Sequence, residues 1–195
     1  LNDKTTGLDG PDRMSAYFDE DFDAWGGPFV MASVNTRVVR RSNELLNGAY
    51  GADFRYDEGT VISKGAKGFL GATAVGIGTG AFAGLAALPV TRPLLKRFLP
   101  KPGEGPTPEA IENGHYHIEL RGLHPTDPSK NMTAHVKGDK DPGYGSTSKM
   151  IVESALALAQ DDLPVEGGFW TPASAMGDAL LSRLPTSAGV TFEIE

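Results

Sequence analysis

GFLGATAVGIGTGAFAGLAALPVT, residues 68–91, is a run of 24 residues without a charge. As one helix it would extend roughly 36 Å, enough to cross a hydrocarbon core of about 30 Å. Its six glycines and many alanines make it only weakly apolar. Gly76, Gly80 and Gly84 recur every fourth residue and give one helix face a stripe of small side chains, the spacing that lets a second helix approach closely in lipid. Three readings compete: a membrane-embedded or re-entrant segment, a helix buried in protein or at an oligomer interface, and a lid loop. Pro89 and Pro93 stand against a straight span beyond Leu88. Phe69, Leu70, Ile77, Phe82, Leu85 and Leu88 are the candidate membrane-contacting side chains.

Charge is distributed unevenly around this run. Residues 1–30 hold seven acids and two bases, residues 31–101 ten bases and four acids, and residues 102–195 fourteen acids and six bases. Lys64 and Lys67 precede the run, and Arg92, Lys96, Arg97 and Lys101 follow it. Such flanks suit an anionic lipid surface as well as a solvated basic face. A net charge of −7, with aromatics that do not interleave with the bases, argues against nucleic acid as a partner. The absence of cysteine excludes disulfides, thiolate nucleophiles and cysteine-ligated metals. It accords with a cytoplasmic location, with or without peripheral attachment at the inner face of the plasma membrane.

Outward from the run, residues 1–27 read as an acidic linker ending at Gly26-Gly27-Pro28. Phe29 to Leu46 reads as a helix with Val30, Val34, Val38 and Leu45 as its apolar stripe, stopped at Asn47-Gly48. Phe54 to Ile62 alternates weakly, as a strand would. A Pro/Gly linker at 101–108 returns the chain from the insertion, 66–100, to the domain. His115 to Leu120 and Met132 to Lys137 alternate with period two and predict a hairpin, with Tyr116, Ile118, Leu120, Met132, Ala134 and Val136 on one face. Lys149 to Gln160 predicts a helix. Thr171-Pro172 supplies an N-cap and a first-turn proline for another, to about Leu184. Val190 to Ile194 closes as a strand. Helices and strands without a βαβ rhythm predict an α+β fold. Its sheet is expected to be mixed but largely antiparallel, packed against helices and interrupted by the hydrophobic helical insertion. Residues 28–195 are then one domain, and the chain is expected to be a piece of a longer polypeptide.

Candidate chemistry is sparse. Gly78-Thr79-Gly80-Ala81-Phe82-Ala83 spells G-x-G-x-x-A, but no strand precedes it and position 98 is Phe98 rather than an acid. His115, His117 and His135 could gather around a zinc if the hairpin is symmetric; the same face also carries Glu119, Thr133 and Lys137, as the polar side of a half-buried sheet would. The run from Asp139 to Thr147 places Pro142, Gly143 and Gly145 in a turn before a helix, whose free N–H groups could take an anion or a carbonyl oxygen. Tyr144 and Thr147 are its candidate substrate-binding residues. Arg40 could meet a carboxylate or phosphate. No catalytic residue is assigned.

Several runs together carry a likeness. Pro28-Phe29-Val30-Met31-Ala32 leads to Arg40-Arg41-Ser42-Asn43 and Tyr50-Gly51-Ala52-Asp53-Phe54-Arg55-Tyr56. Leu99 to Pro106, Gly138 to Tyr144, and Gly167-Gly168 with Thr171-Pro172-Ala173 follow. In order and spacing, residues 25–195 resemble the C-terminal portion of saccharopine dehydrogenase-like oxidoreductases, including bacterial trans-acting enoyl reductases. The resemblance implies an N-terminal Rossmann domain holding NAD(P)H, joined to this substrate-side and dimerisation domain. It also implies a homodimer, lipid association and a lipid-linked enoyl substrate, as in lipid or glycolipid biosynthesis. That family's dinucleotide fingerprint has no match here, so no nicotinamide-binding residue is carried over. The alternative is a non-catalytic lipid-association and dimerisation module.

Overall fold

Two glycines and a proline expected to end a linker instead build the centre of a sheet. In the computed structural model, which describes residues 10–101 and 103–195, strands β1 (Tyr17–Asp19) and β2 (Ala24–Pro28) pair antiparallel. Strand β3 (Gly59–Ser63) completes an antiparallel sheet of order β1-β2-β3. The first nine residues of the expected linker, and Pro102 of the second one, lie outside the described residues. The described chain forms two compact units, one ending at Glu104 and the other running from Gly105 to Glu195. The boundary between the two units falls in the Pro/Gly linker.

In the first unit, helix α2 (Gly65–Ala87) packs on this sheet, and hydrogen bonds tie helix α1 (Ala32–Leu45) to the segments before β1 and β3. Helix α2 runs along β2, and Gly27 is what admits it. A Cβ there would lie 3.2 Å from the Ala72 carbonyl oxygen and 3.3 Å from Val75 Cβ. Trp25 meets Phe69 edge-on at 4.8 Å and Phe18 at 5.6 Å. These rings hold the start of α2 to the sheet. Helix α1 corrects the expected stripe: Val30, Val34 and Val38 are exposed, while Ala32, Thr36 and Ser42 are buried. The reason is polar anchoring. The Thr36 hydroxyl lies 2.9 Å from Asp12 Oδ1, Asn35 donates to Glu58 and Arg37 pairs with Asp12. Hydrogen bonds from Thr36 and then Arg37 hold Asp12 below the usual carboxylate range.

The second unit opens with the short α4 (Pro108–Asn113), which follows a four-residue α3 (Arg92–Leu95) at the end of the first unit. Strands β4 (Tyr116–Gly122), β5 (Met132–Gly138) and β6 (Val190–Ile194) form an antiparallel sheet. The pairing Tyr116↔Gly138, Ile118↔Val136, Leu120↔Ala134 and Gly122↔Met132 puts the expected apolar residues on one face. Helices α5 (Gly145–Gln160) and α6 (Pro172–Arg183) pack together, followed by a π-helical turn, Leu184–Ala188. One core cluster joins Ala157, Ala175 and Met176; another joins Leu184, Ala188 and Val190 with Val136 and Met150. Thr171 and Ser174 form a reciprocal capping box at the start of α6. The fold is α+β, with two small antiparallel sheets in place of one.

Arg183 clamps α5 to α6. Its Nε and Nη2 donate to the two Asp161 oxygens at 2.8 and 2.6 Å, and Nη1 donates to Glu153 at 3.1 Å. The guanidinium holds the Asp161 carboxyl below its ordinary range. A depressed carboxylate gives its stability above the unfolded-state pKa, about 3.9, and loses it as pH falls through the folded value. Arg183→Lys, which cannot make the fork, should therefore unfold at lower urea than the parent at pH 7. The gap should stay constant down to about pH 4 and close below it, as urea titrations at pH 7, 5 and 3 would show.

Candidate functional site

The turn between β5 and α5 concentrates the second unit's unusual residues. Helix α5 starts at Gly145, four residues earlier than the sequence suggests, so Thr147 lies in its first turn and Tyr144 at its N-cap position. The helix end expected to receive an anion is served by the chain itself. Asp141 Oδ2 accepts the Tyr144 N–H at 2.7 Å and the Gly145 N–H at 3.4 Å, and the Ser146 N–H donates to the Asp141 carbonyl at 2.8 Å. A carboxylate in that place answers both the unpaired donors and the helix dipole. Thr147 Oγ1 donates to the Pro142 carbonyl at 2.6 Å, which closes the turn. Tyr116 reaches across from β4 with its hydroxyl 3.1 Å from Ser146 Oγ. Lys140 pairs with Glu112 of α4.

That leaves the Tyr144 ring as the turn's outward group. It is 58% exposed, and Gly105 stands beside it; a Cβ there would lie 3.6 Å from the ring. Among the described residues its hydroxyl has no hydrogen-bond partner, so it is free to donate to a bound molecule. A shallow cleft of about 250 Å³ lies along α5 nearby, lined by Ser148, Lys149, Val152, Glu153 and Ser187. Sequence reasoning singled out none of these residues as candidates.

Arg40 belongs to the first unit, on α1, where Nη2 donates to the Tyr56 carbonyl at 2.9 Å. It ties α1 to the segment before β3. Tyr144 and Thr147 come together at one turn; Arg40 is placed in the other unit. His117 Nε2 lies 2.9 Å from His135 Nδ1, as the hairpin register predicts, and His135 Nε2 lies 3.7 Å from a Glu195 carboxylate oxygen. His115 precedes β4 and does not complete a set: among the described residues no three His, Cys, Asp or Glu side chains are gathered as a metal would need.

The G-x-G-x-x-A spelling at 78–83 lies inside α2. Its N–H groups are committed to the helix ladder, and there is no strand-to-helix turn to cradle a pyrophosphate. Among the candidate membrane-contacting residues, Ile77, Leu70 and Leu88 are more than half exposed, and Phe69, Phe82 and Leu85 somewhat less. By length and composition α2 could cross a membrane, and 6% of its most apolar window is buried.

These elements define an α+β chain carrying a long exposed apolar helix and a tyrosine-bearing β-to-α turn. In sequence it is similar to proteins named trans-acting enoyl reductases. It is 42% identical to that of Mycobacterium bovis BCG Pasteur 1173P2 over 176 residues, covering 86% of this chain and 40% of the relative. It is 40% identical to that of Mycobacterium ulcerans Agy99 over 174 residues, covering 85% and 40%. Rv2449c of Mycobacterium tuberculosis H37Rv, provisionally given the same name, is 45% identical over 177 residues, covering 87% and 41%. The chain thus spans about 40% of the length of the curated relatives it matches. No family model matches the chain, and no solved structure does.

Proposed function

We propose that this chain is the substrate-side and dimerisation part of a saccharopine dehydrogenase-like, NAD(P)H-dependent oxidoreductase that reduces a lipid-linked enoyl group. The nicotinamide would be held by a Rossmann domain outside these 195 residues. The supporting observation is the 40–45% identity, across most of the chain, to proteins named trans-acting enoyl reductases. Enoyl reduction adds a hydride to the β carbon and a proton to the α carbon of a conjugated acyl group; the bound nicotinamide supplies the hydride. The chain's own part is to hold and orient the acyl carbonyl. Tyr144 suits that role, because its outward hydroxyl can donate a hydrogen bond at a helix start that Asp141 has already neutralised. Thr147, whose hydroxyl is committed to Pro142, supports the turn.

In the full-length enzyme, Tyr144→Phe should lower kcat/KM for an enoyl thioester about tenfold, the worth of one lost hydrogen bond to substrate. The circular dichroism spectrum should be unchanged. Arg40→Ala should act on stability through the lost Tyr56 contact. Unchanged turnover in Tyr144→Phe would remove that residue from the site. Titration of the 195-residue chain with NADPH should show no binding, and a micromolar Kd would overturn the division of labour. The other reading is a dimerisation module with all chemistry elsewhere. It predicts full turnover in every variant of the tyrosine turn.

A further inference from the structure

Helix α2 has two halves with different surroundings. In the first, Gly68 and Ala72 are buried, and a Cβ on Gly68 or Gly71 would fall 1.8 Å from the Ser63 carbonyl oxygen or 3.0 Å from Ile62 Cγ2. A Cβ on Gly76 would lie 3.8 Å from Pro28 Cδ. Beyond Gly76 the surroundings end: a Cβ on Gly78, Gly80 or Gly84 would meet nothing within 4 Å. Phe82, Leu85, Leu88, Val90, Leu94 and Phe98 are all exposed.

The end of the helix is nonetheless well formed. Thr91 Oγ1 donates to the Leu88 carbonyl at 2.9 Å, and Arg92 Nε donates to the Ala86 carbonyl at 3.0 Å. These bonds satisfy the last carbonyls with a cation in place. The tip is thus an ordered apolar surface. Its charge has one sign: from Gly59 to Gly103 there is no acid, against six bases. Lys64 pairs with Asp23, whereas Lys96, Arg97 and Lys101 have no carboxylate within ion-pair distance among the described residues.

We propose that residues 77–99 form a monotopic anchor seated in the interface of an anionic lipid leaflet. The proposal does not rest on the enoyl reductase reading. The attached first half of α2 rules out a span. Crossing would carry β3, an edge strand of its sheet, into hydrocarbon, where open N–H and C=O groups have no partner. The free residues 77–87 extend about 16 Å, half of a hydrocarbon core of about 30 Å. The bases at 92–101 must also stay among headgroups, so the helix lies along the interface with its apolar side chains below the phosphates. A second copy of the chain fits less well, because two tips would bring like charges together.

The protein has no cysteine, so single introduced thiols can be labelled cleanly. The whole chain should co-sediment with 3:1 phosphatidylcholine–phosphatidylglycerol vesicles at low salt and partition far less onto phosphatidylcholine alone. Lys96→Gln, Arg97→Gln and Lys101→Gln together should weaken binding on the order of 100-fold without altering the melting curve. An environment-sensitive dye at Phe82→Cys, Leu88→Cys or Phe98→Cys should shift blue on vesicles, and one at Ala74→Cys should not. The anchor would be overturned by no partition onto vesicles, or by equal binding to neutral ones. A blue shift at Ala74→Cys matching the others would mean a span. Lipid-free dimerisation that buries positions 82 and 98 would assign the tip to a second copy.

Discussion

Gly68→Leu should separate α2 from its sheet and cost about 3 kcal/mol or more, the upper range for overpacking a filled core. Even the first carbon of the new side chain would fall 1.8 Å from the Ser63 carbonyl oxygen and 2.6 Å from its carbon. Backbone cannot yield as a flexible side chain does, so the helix must move away and expose the Trp25–Phe69 contact. Gly80→Ala and Gly84→Ala should do the reverse. With nothing within 4 Å, each replaces a poor helix former by the best one and should gain about 0.5–1 kcal/mol. Urea unfolding gives the signs, and hydrogen exchange over β2, β3 and the first turns of α2 shows where protection is lost. If Gly68→Leu matched the parent, the packing of helix on sheet would be wrong. If the two alanines destabilised, the free half would have a protein partner.

That contrast divides the glycine stripe, which the sequence presents as one object. Gly76, Gly80 and Gly84 share a face, yet Gly76 lies near Pro28 while the other two stand clear. Spacing shows that a close approach is possible; it does not show to what. The same limit hid β2. Ala-Trp-Gly-Gly-Pro has neither alternation nor β-branched residues, because Gly27 serves the approach of α2 and Gly26 makes room for the Tyr17 ring rather than serving strand propensity. The stripe of α1 misleads for a different reason: hydrogen bonds donated to Asp12 and Glu58 choose which face turns inward. Where local chemistry decides, the reading holds. The Thr171 cap, the β4–β5 register and β6 all lie where their residues place them.

At the candidate site the residue types were legible and their assignments less so. The Gly/Pro turn and the following helix are there, but Asp141 occupies the donors a ligand was expected to use. An acid four residues before a helix start reads equally as a strand-end charge and as a cap, and only the folded turn distinguishes them. Tyr144 remains as the group with its polar atom outward. A lipid-linked substrate and a leaflet-seated helix make a consistent pair of proposals, since an acyl chain held in a membrane must be met at its surface. The two stand on different observations, so the vesicle experiment and the turnover experiment can fail separately.

Gly138→Leu should damage the second unit, costing about 2–3 kcal/mol. Gly138 pairs directly with Tyr116 at the end of the hairpin, and a Cβ there would lie 2.0 Å from the Tyr116 ring. The glycine is the floor on which the ring lies, an aromatic covering a bare strand position. Displacing the ring also breaks its 3.1 Å contact with Ser146, a fully buried residue in the first turn of α5. The damage should therefore reach the tyrosine turn. On the proposed reductase reading, Gly138→Leu in the full-length protein should lower turnover beyond what its lost stability explains, measured well below its melting temperature. Adding Tyr116→Ala should recover part of the stability, because it removes the clashing ring, and none of the turnover, because Ser146 still lacks its partner. A double-mutant cycle reads this coupling directly. Additive losses of stability would mean that the two residues do not touch, and the link from hairpin to turn would then fail.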